Sequence, residues 1–456
     1  MSAQDYFKGK MIAVIGLGNN GEMVEDIKYL IKAGALVSLY DLKSEARLKS
    51  HIVFLRSVGL ANYVCGSVPA EDLLDMDLII LSHEYPRDST FLKNVLERNR
   101  IINLAKPETF EKREKTIPVE YPETLFFKRS PPVVVVGVMG EYGKSTLVSV
   151  LAPMLAMVCA ATEGQDFFLI DPETGEGAVS VLKKVKSGDI VLVRMGGRIM
   201  RELHDIRISP QVAVFTSIPP EDSYHESPFE ILDHQTYNNF IIASDEIIDQ
   251  TRTLKAQRKA KMLRTKTSVI PEGWRFGSRR TQDREIAALA LQTARLFKVE
   301  DEMARDVLEN WKPVKGRLEL VKKIKGVEYY NDSASIWPSA TVRALQTLSG
   351  NKDSVLIFGG AKNGGDCRIL HSIMPRFVHT LILLPGSGTM HERAEIMKIQ
   401  DVNIHSVPSI EEAVRLAAEK AVTNNKVIFS PGFEAAGLDN TRKERGERFV
   451  RAVRGL

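Results

Sequence analysis

The chain has 456 residues, too many for one hydrophobic core, which at ~150 residues per domain argues for about three domains. Hydrophobic residues make up 44% and charged residues 26%, the balance of a soluble globular protein. Lys and Arg total 62 against 58 acids, and a net charge of +4 is too slight to argue for a nucleic-acid surface.

The basic runs at 255–266 and 442–454 read as solvated helix faces. Cys65, Cys159 and Cys367 lie far apart, form no CxxC pair and no spaced metal set, and so point to a reducing compartment. The first residues carry no charged region followed by an apolar one, and no run of ~18 apolar residues able to cross a bilayer is expected. A cytoplasmic protein without membrane insertion, and a monomer, is expected.

In chain order, short apolar strands at 11–15, 36–40 and 77–81 alternate with helical periodicity, the mark of a parallel α/β module. Charged, Pro-containing sequence from 106 to 132 reads as a linker. Strands follow at 133–138, 189–194, 212–217 and 240–244, with an amphipathic helix at 284–297. A third set occupies 327–331, 354–359, 380–385 and 426–430, before a closing helix rich in Arg and Glu. The expected domains are 1–115, 116–312 and 313–456, each α/β.

The second module opens on the chemistry. Val133-Val134-Val135-Val136 is β-branched throughout, as a central parallel strand covered on both faces must be. It leads into Gly140-Glu141-Tyr142-Gly143-Lys144-Ser145-Thr146, where a helix begins. Glycines let the backbone curl so that successive N–H groups face a phosphate, and the helix N-terminus adds positive potential. Lys144 adds a full charge for the outer phosphates, and Ser145 or Thr146 offers a hydroxyl to magnesium. The full phosphate-loop spacing would put a glycine at Val138, so this is the shorter form, Gly-x-x-Gly-Lys-Ser-Thr. The expected ligands are ATP and Mg2+.

A second glycine motif follows the first strand: Gly16-Leu17-Gly18-Asn19-Asn20-Gly21, with Asp41 about twenty residues on. Alone it suits a dinucleotide-dependent dehydrogenase as well as a nucleotide-sugar diphosphate. His83 and Glu84, after the strand at 77–81, sit where a parallel sheet presents ligand contacts, and helix or loop packing explains them equally well.

Taken together, these motifs resemble the Mur ligases. A glycine-rich diphosphate fold, a Gly-x-x-Gly-Lys-Ser-Thr loop and a third α/β module come in that family's order. Gly316-Arg317-Leu318-Glu319 is similar to its His-Arg-x-Glu, and Asn331-Asp332-Ser333-Ala334-Ser335 to its Asn-Asp-Ser-Lys-Ala-Thr. Leu356-Ile357-Phe358-Gly359-Gly360, Ser430-Pro431-Gly432 and Arg445-Gly446-Glu447-Arg448-Phe449 match further family segments. The nearest likeness is to the branch that adds D-glutamate.

The resemblance implies three parallel-sheet domains in series: Rossmann-like, P-loop ATPase-like and Rossmann-like. It implies an ATP-dependent ligase of peptidoglycan synthesis, joining an amino acid to a UDP-linked muropeptide precursor, UDP-N-acetylmuramoyl-L-alanine, through an acyl phosphate. Gly16, Gly18, Asn19 and Asn20 would face the diphosphate, and Asp41, Leu42 and Lys43 the uridine. Gly140 to Thr146 would hold ATP, with Arg317 and Asp332 reaching it from the third domain and sharing the catalytic role with Lys144. Ser430 and Phe433 would lie near the free amino acid.

The departures cluster around ATP and metal. Glu141 replaces the loop threonine, and Arg194 stands at the strand end that usually supplies a metal-binding Glu. Arg194 cannot bind magnesium but can neutralise a phosphate. Glu221 with Asp222 and His225 approximates the Asp-His metal pair, and the stretch 228–239 contains no lysine to be carbamylated. Arg280-Thr281-Gln282-Asp283-Arg284 stands for the adenine-contacting segment, and Ala334 for the lysine expected at the amino acid's carboxylate. Three readings follow: a ligase with substituted contacts, a nucleotide-binding protein that no longer ligates, and a ligase for a different amino acid.

Overall fold

A computed structural model describes residues 3–18, 21–83, 85, 87–104, 115–171, 177–218, 229–254, 259–276, 281–362, 364–435 and 441–456. The chain divides into two compact units, Met1–Trp311 and Lys312–Leu456. The first unit contains two sheets and the second contains one.

The first sheet is built from β1 (Met11–Ile15), β2 (Leu36–Asp41), β3 (Asn62–Cys65), β4 (Leu78–Leu81) and β5 (Val119–Glu120). Its order is β3-β2-β1-β4-β5, all parallel. Ile15 pairs in register with both Tyr40 and Leu81, so the loops leaving β1, β2 and β4 emerge at one sheet edge. The order reverses at β1, the place where open parallel sheets form a ligand crevice.

The segment expected as a linker is partly structure. β5 extends the sheet, and the helix Pro122–Arg129 buries Pro122, Glu123, Thr124, Leu125 and Phe126. The charged residues around them concealed a short apolar series, Ile117, Val119, Tyr121, Leu125 and Phe126, all buried.

The second sheet comprises β6 (Val134–Met139), β7 (Phe167–Ile170), β8 (Ile190–Arg194), β9 (Val212–Phe215), β10 (Phe240–Ala243) and β11 (Lys261–Arg264). Its order is β11-β10-β9-β6-β8-β7, again parallel. β6 lies between β8 and β9, which explains its unbroken valines. The helix Lys144–Ala161 packs against Thr281–Leu296, whose Ala287, Ala288, Ala290 and Ala294 allow close approach. Among the described residues it is the one helix long and apolar enough to cross a membrane. Eight of its side chains are nevertheless buried.

The third sheet takes β12 (Glu319–Ile324), β13 (Val327–Asn331), β14 (Ser354–Phe358), β15 (Val378–Leu383), β16 (Asn403–Ser406) and β17 (Lys426–Phe429), in the order β12-β13-β17-β14-β15-β16. Only β12 runs antiparallel, joined to β13 by a hairpin. Its two turn residues, Lys325 and Gly326, have φ of 48° and 83°, the positive pair that matches strand twist in a two-residue turn.

The first basic run differs from the expectation of solvated helix faces, and the second meets it except at one position. The first contains edge strand β11, and residues 255–258 lie outside the described residues. The second is a helix, Arg442–Arg454, but Arg445 on it is only 3% exposed.

Candidate nucleotide and ligase sites

β6 delivers the phosphate loop at the carboxyl edge of the second sheet. Gly140 has φ of 128°, and a Cβ there would stand 2.4 Å from Thr216 Oγ1 and 2.8 Å from the Ser217 nitrogen. Gly143 has φ of 83°, and its Cβ would strike Ile286 Cδ1 at 2.7 Å. Both glycines are therefore required by backbone conformation and by close approach of the β9 terminus.

Ser217 Oγ accepts the N–H groups of Glu141 at 3.0 Å and Tyr142 at 3.2 Å. Thr216 Oγ1 donates to the carbonyls of Met139 and Tyr142. Lys144 Nζ donates to the carbonyls of Gly140 and Glu141, so its charge lies over the loop. Ser145, in the first helical turn, is buried, Thr146 and Glu141 are half-buried, and Tyr142 is exposed. Thr216 and Ser217 were missed in the sequence. The available signal was their place at the end of a strand adjoining β6 in a parallel sheet.

Arg194 ends β8 in register with Val138 and pairs with the buried Asp171 at 3.3 Å. Glu221, Asp222, His225 and Arg280 lie outside the described residues.

In the first sheet, Gly16 and Gly18 have φ of 84° and 82°. A Cβ on Gly16 would meet Ser82 Oγ at 2.3 Å and the Tyr85 ring at 2.5 Å. Asp41 is fully buried, and its two oxygens accept the N–H groups of Leu17 at 2.9 Å and Lys43 at 2.8 Å. Its carboxylate thus joins the loops after β1 and β2 from beneath. Lys43 Nζ donates to the Gly18 carbonyl at 3.1 Å, while Leu42 is 49% exposed. Asn19, Asn20 and Glu84 lie outside the described residues. His83 stacks on Tyr121 and bonds Glu123 at 2.9 Å. Burial opposes charge on His83, but the facing Glu123 carboxylate outweighs it and raises the imidazole above its ordinary value.

The second unit gathers motifs that are distant in sequence. Asp332 Oδ2 accepts from Ser335 Oγ at 2.6 Å and Ser430 Oγ at 2.8 Å, and Oδ1 accepts the Leu318 N–H at 3.1 Å. Burial pushes the Asp332 carboxyl up to about 6, against the opposing pull of these hydrogen bonds and of Arg317. Glu319 accepts from the Gly316 N–H and from Asn331 Nδ2, fixing the turn that carries Arg317. Arg445 donates to the carbonyls of Ser333 and Phe433. Arg317 is half-buried, as is Ala334. Ser430 is fully buried, and the Phe433 ring, 2% exposed, packs on Phe358 inside the core.

The three sheets and their order define a class first: this is the fold of the solved Mur ligases. Murein peptide ligase Mpl from Psychrobacter arcticus 273-4 superposes with a TM-score of 0.57 at 13% identity, covering 98% of this chain and 99% of that one. UDP-N-acetylmuramate-alanine ligase MurC from Thermotoga maritima gives 0.56 at 14% identity, with 98% and 99% covered. MurF ligase from Thermotoga maritima, solved in complex with ADP, gives 0.50 at 15%, with 98% and 96% covered. No family model matches the chain.

Relatives in sequence narrow the likeness. The UDP-N-acetylmuramoylalanine–D-glutamate ligase of Clostridioides difficile (strain 630) is 24% identical over 486 residues, 98% of this chain and 99% of that protein. The protein of the same name from Geotalea daltonii is 26% identical over 480 residues, 98% of each. The resemblance read from the motifs therefore runs over nearly the whole length of these ligases.

Proposed function

We propose that this chain is an ATP-dependent ligase of peptidoglycan precursor synthesis that joins D-glutamate to UDP-N-acetylmuramoyl-L-alanine through an acyl phosphate. The phosphate loop carries the reading: Gly140 and Gly143 bring backbone against β9, and Lys144 and Ser145 open a long helix at the sheet's carboxyl edge. That donor set fits a nucleotide triphosphate, with the helix terminus and Lys144 meeting its phosphates.

Bound ATP with Mg2+ supplies the phosphoryl group that activates a carboxylate for attack by an amine, and Ser145 is the residue we assign to the metal. Lys144 neutralises the charge that develops as the phosphoryl group moves, which is the main work of a protein in phosphoryl transfer. The loops after β1 and β2, held together by Asp41, hold the UDP portion. In the second unit, Asp332 and Ser430 orient the residues that meet the amino acid, and Arg317 extends from the turn they anchor. The near-full-length likeness to D-glutamate ligases supports this choice of substrate.

The Arg194–Asp171 pair favours a second reading, in which a cation at the end of β8 permits nucleotide binding without ligation. One experiment separates the two. Purified protein with Mg2+, ATP, the UDP-linked precursor and D-glutamate should release ADP over repeated turnovers only when both the precursor and D-glutamate are present. Lys144→Ala should reduce that rate by about 100-fold or more. ATP binding by calorimetry with no ADP release under any substrate combination would establish the second reading instead.

A further inference from the structure

We propose that Cys367, His371 and Glu392 form a binding site for one zinc-class divalent cation in the second unit, a site apart from the phosphate loop. Cys367 caps the helix Arg368–Phe377, and His371 follows one turn later, so both side chains lie on the same helix face. Glu392 comes from a different helix, Ser387–Ile396. Among the described residues, the Cys367 sulfur, a His371 ring nitrogen and a Glu392 carboxylate oxygen lie within 4.8 Å of one another. The cysteine spacing gave no hint of this, because the third ligand is supplied by tertiary structure.

The chemistry of the donors selects the ion. A mixed sulfur, nitrogen and oxygen set suits zinc and related metals, whereas magnesium takes oxygen ligands alone. Tetrahedral zinc with ligands at ~2.0–2.3 Å needs donor atoms about 3.3–3.8 Å apart, so side-chain shifts of about 1 Å close the site.

Two observations favour occupancy over a chance cluster. His371 Nε2 is buried without a hydrogen-bond partner, and Glu392 Oε2 stands 3.8 Å away, beyond hydrogen-bond range. The nitrogen thus lies near a carboxylate that it does not bond, a spacing that two ligands flanking an ion would show. Asp366 acts electrostatically on both Cys367 and His371, and Glu395 on His371, while Arg368 and Lys398 pair with those outer acids. His391 lies 3.8 Å from Glu392 on its other oxygen and 3.1 Å from Lys362. Cys367 belongs to the apolar cluster with Leu370 and Met374, which gives the site a dry floor.

The bound ion would brace the helix Ser387–Ile396, which is tied to β14's exit by the Gly388 N–H on the Gly360 carbonyl and by Thr389 Oγ1 accepting the Gly360 N–H. Coordination takes the Cys367 thiol as thiolate, its proton passing to solvent.

The test uses the full chain in excess Mg2+. Titration with Zn2+ against a chromophoric chelator should give one tight equivalent per chain, and Co2+ should produce a thiolate-to-cobalt absorption band. Cys367→Ser should abolish the band, whereas Cys65→Ser should leave it. His371→Gln and Glu392→Gln should each weaken Zn2+ binding at least about 10-fold, since even outer-shell losses cost that much. These two half-buried positions keep the test decisive if Cys367→Ser does not fold. Absence of a tight equivalent, or a band or affinity unaltered in these variants, overturns the proposal.

Discussion

Replacing Asp26 with Asn should make the protein more stable as the pH rises, by an amount that itself depends on pH. Asp26 opens the helix Val24–Lys32 and is 1% exposed. Its Oδ1 accepts the Ser180 N–H at 2.7 Å, and its Oδ2 is buried with no hydrogen-bond partner. Burial, opposed by the Ser180 N–H and reinforced by Glu123, pushes the carboxyl up to about 8 from 3.8. The folded chain therefore holds this proton more tightly than the unfolded chain. Its contribution to stability is fully present below the unfolded value of 3.8, falls as the pH climbs, and levels off above about 8. At ~1.4 kcal/mol per unit, the loss across that window is on the order of 5 kcal/mol. Asn keeps the acceptor for Ser180 and cannot ionise. Urea unfolding followed by circular dichroism should show the two proteins close together near the acid end of the window. The variant should lead by several kcal/mol at the alkaline end. A difference that stays constant with pH would refute the assignment of a buried, proton-holding carboxyl.

Two further outcomes are expected. Gly140→Ala places a Cβ 2.4 Å from Thr216 Oγ1 and 2.8 Å from the Ser217 nitrogen at a φ of 128°, so it should destabilise by about 2–3 kcal/mol. Calorimetry should show ATP binding lost with it, and unimpaired binding would contradict the tight loop. Arg445→Met strips donors from the buried carbonyls of Ser333 and Phe433, for a cost of about 3 kcal/mol in urea unfolding. Arg445→Lys should recover only part of that, because one ammonium does not reproduce the guanidinium fork; full recovery would mean that charge alone matters.

Most strands legible in the sequence have both faces covered, although β13 was legible with its residues alternately buried and half-exposed. β1, β6, β14 and β17 read as continuous apolar runs because a helix layer lies on each side. The strands absent from the sequence reading, β3, β7, β11, β12 and β16, occupy sheet edges or the hairpin; all but β7 mix polar with apolar residues, and β7, Phe-Phe-Leu-Ile, is apolar but only four residues long. β5 escaped for another reason: two residues are too short for any periodicity, and its pairing with β4 alone makes it a strand.

The phosphate loop was legible from sequence alone because its chemistry is local. Five glycine, lysine and hydroxyl positions within seven residues determine where the backbone bends and where the charge lies. The Asp332–Ser430 contact spans 98 residues, and the Asp26–Ser180 contact spans 154. The motif around Asp332 marks it by resemblance, but nothing local shows that it is buried, and no local pattern distinguishes Asp26 from a solvated aspartate. Burial and its effect on charge depend on what packs over a residue, and that is decided only when distant segments of the chain meet.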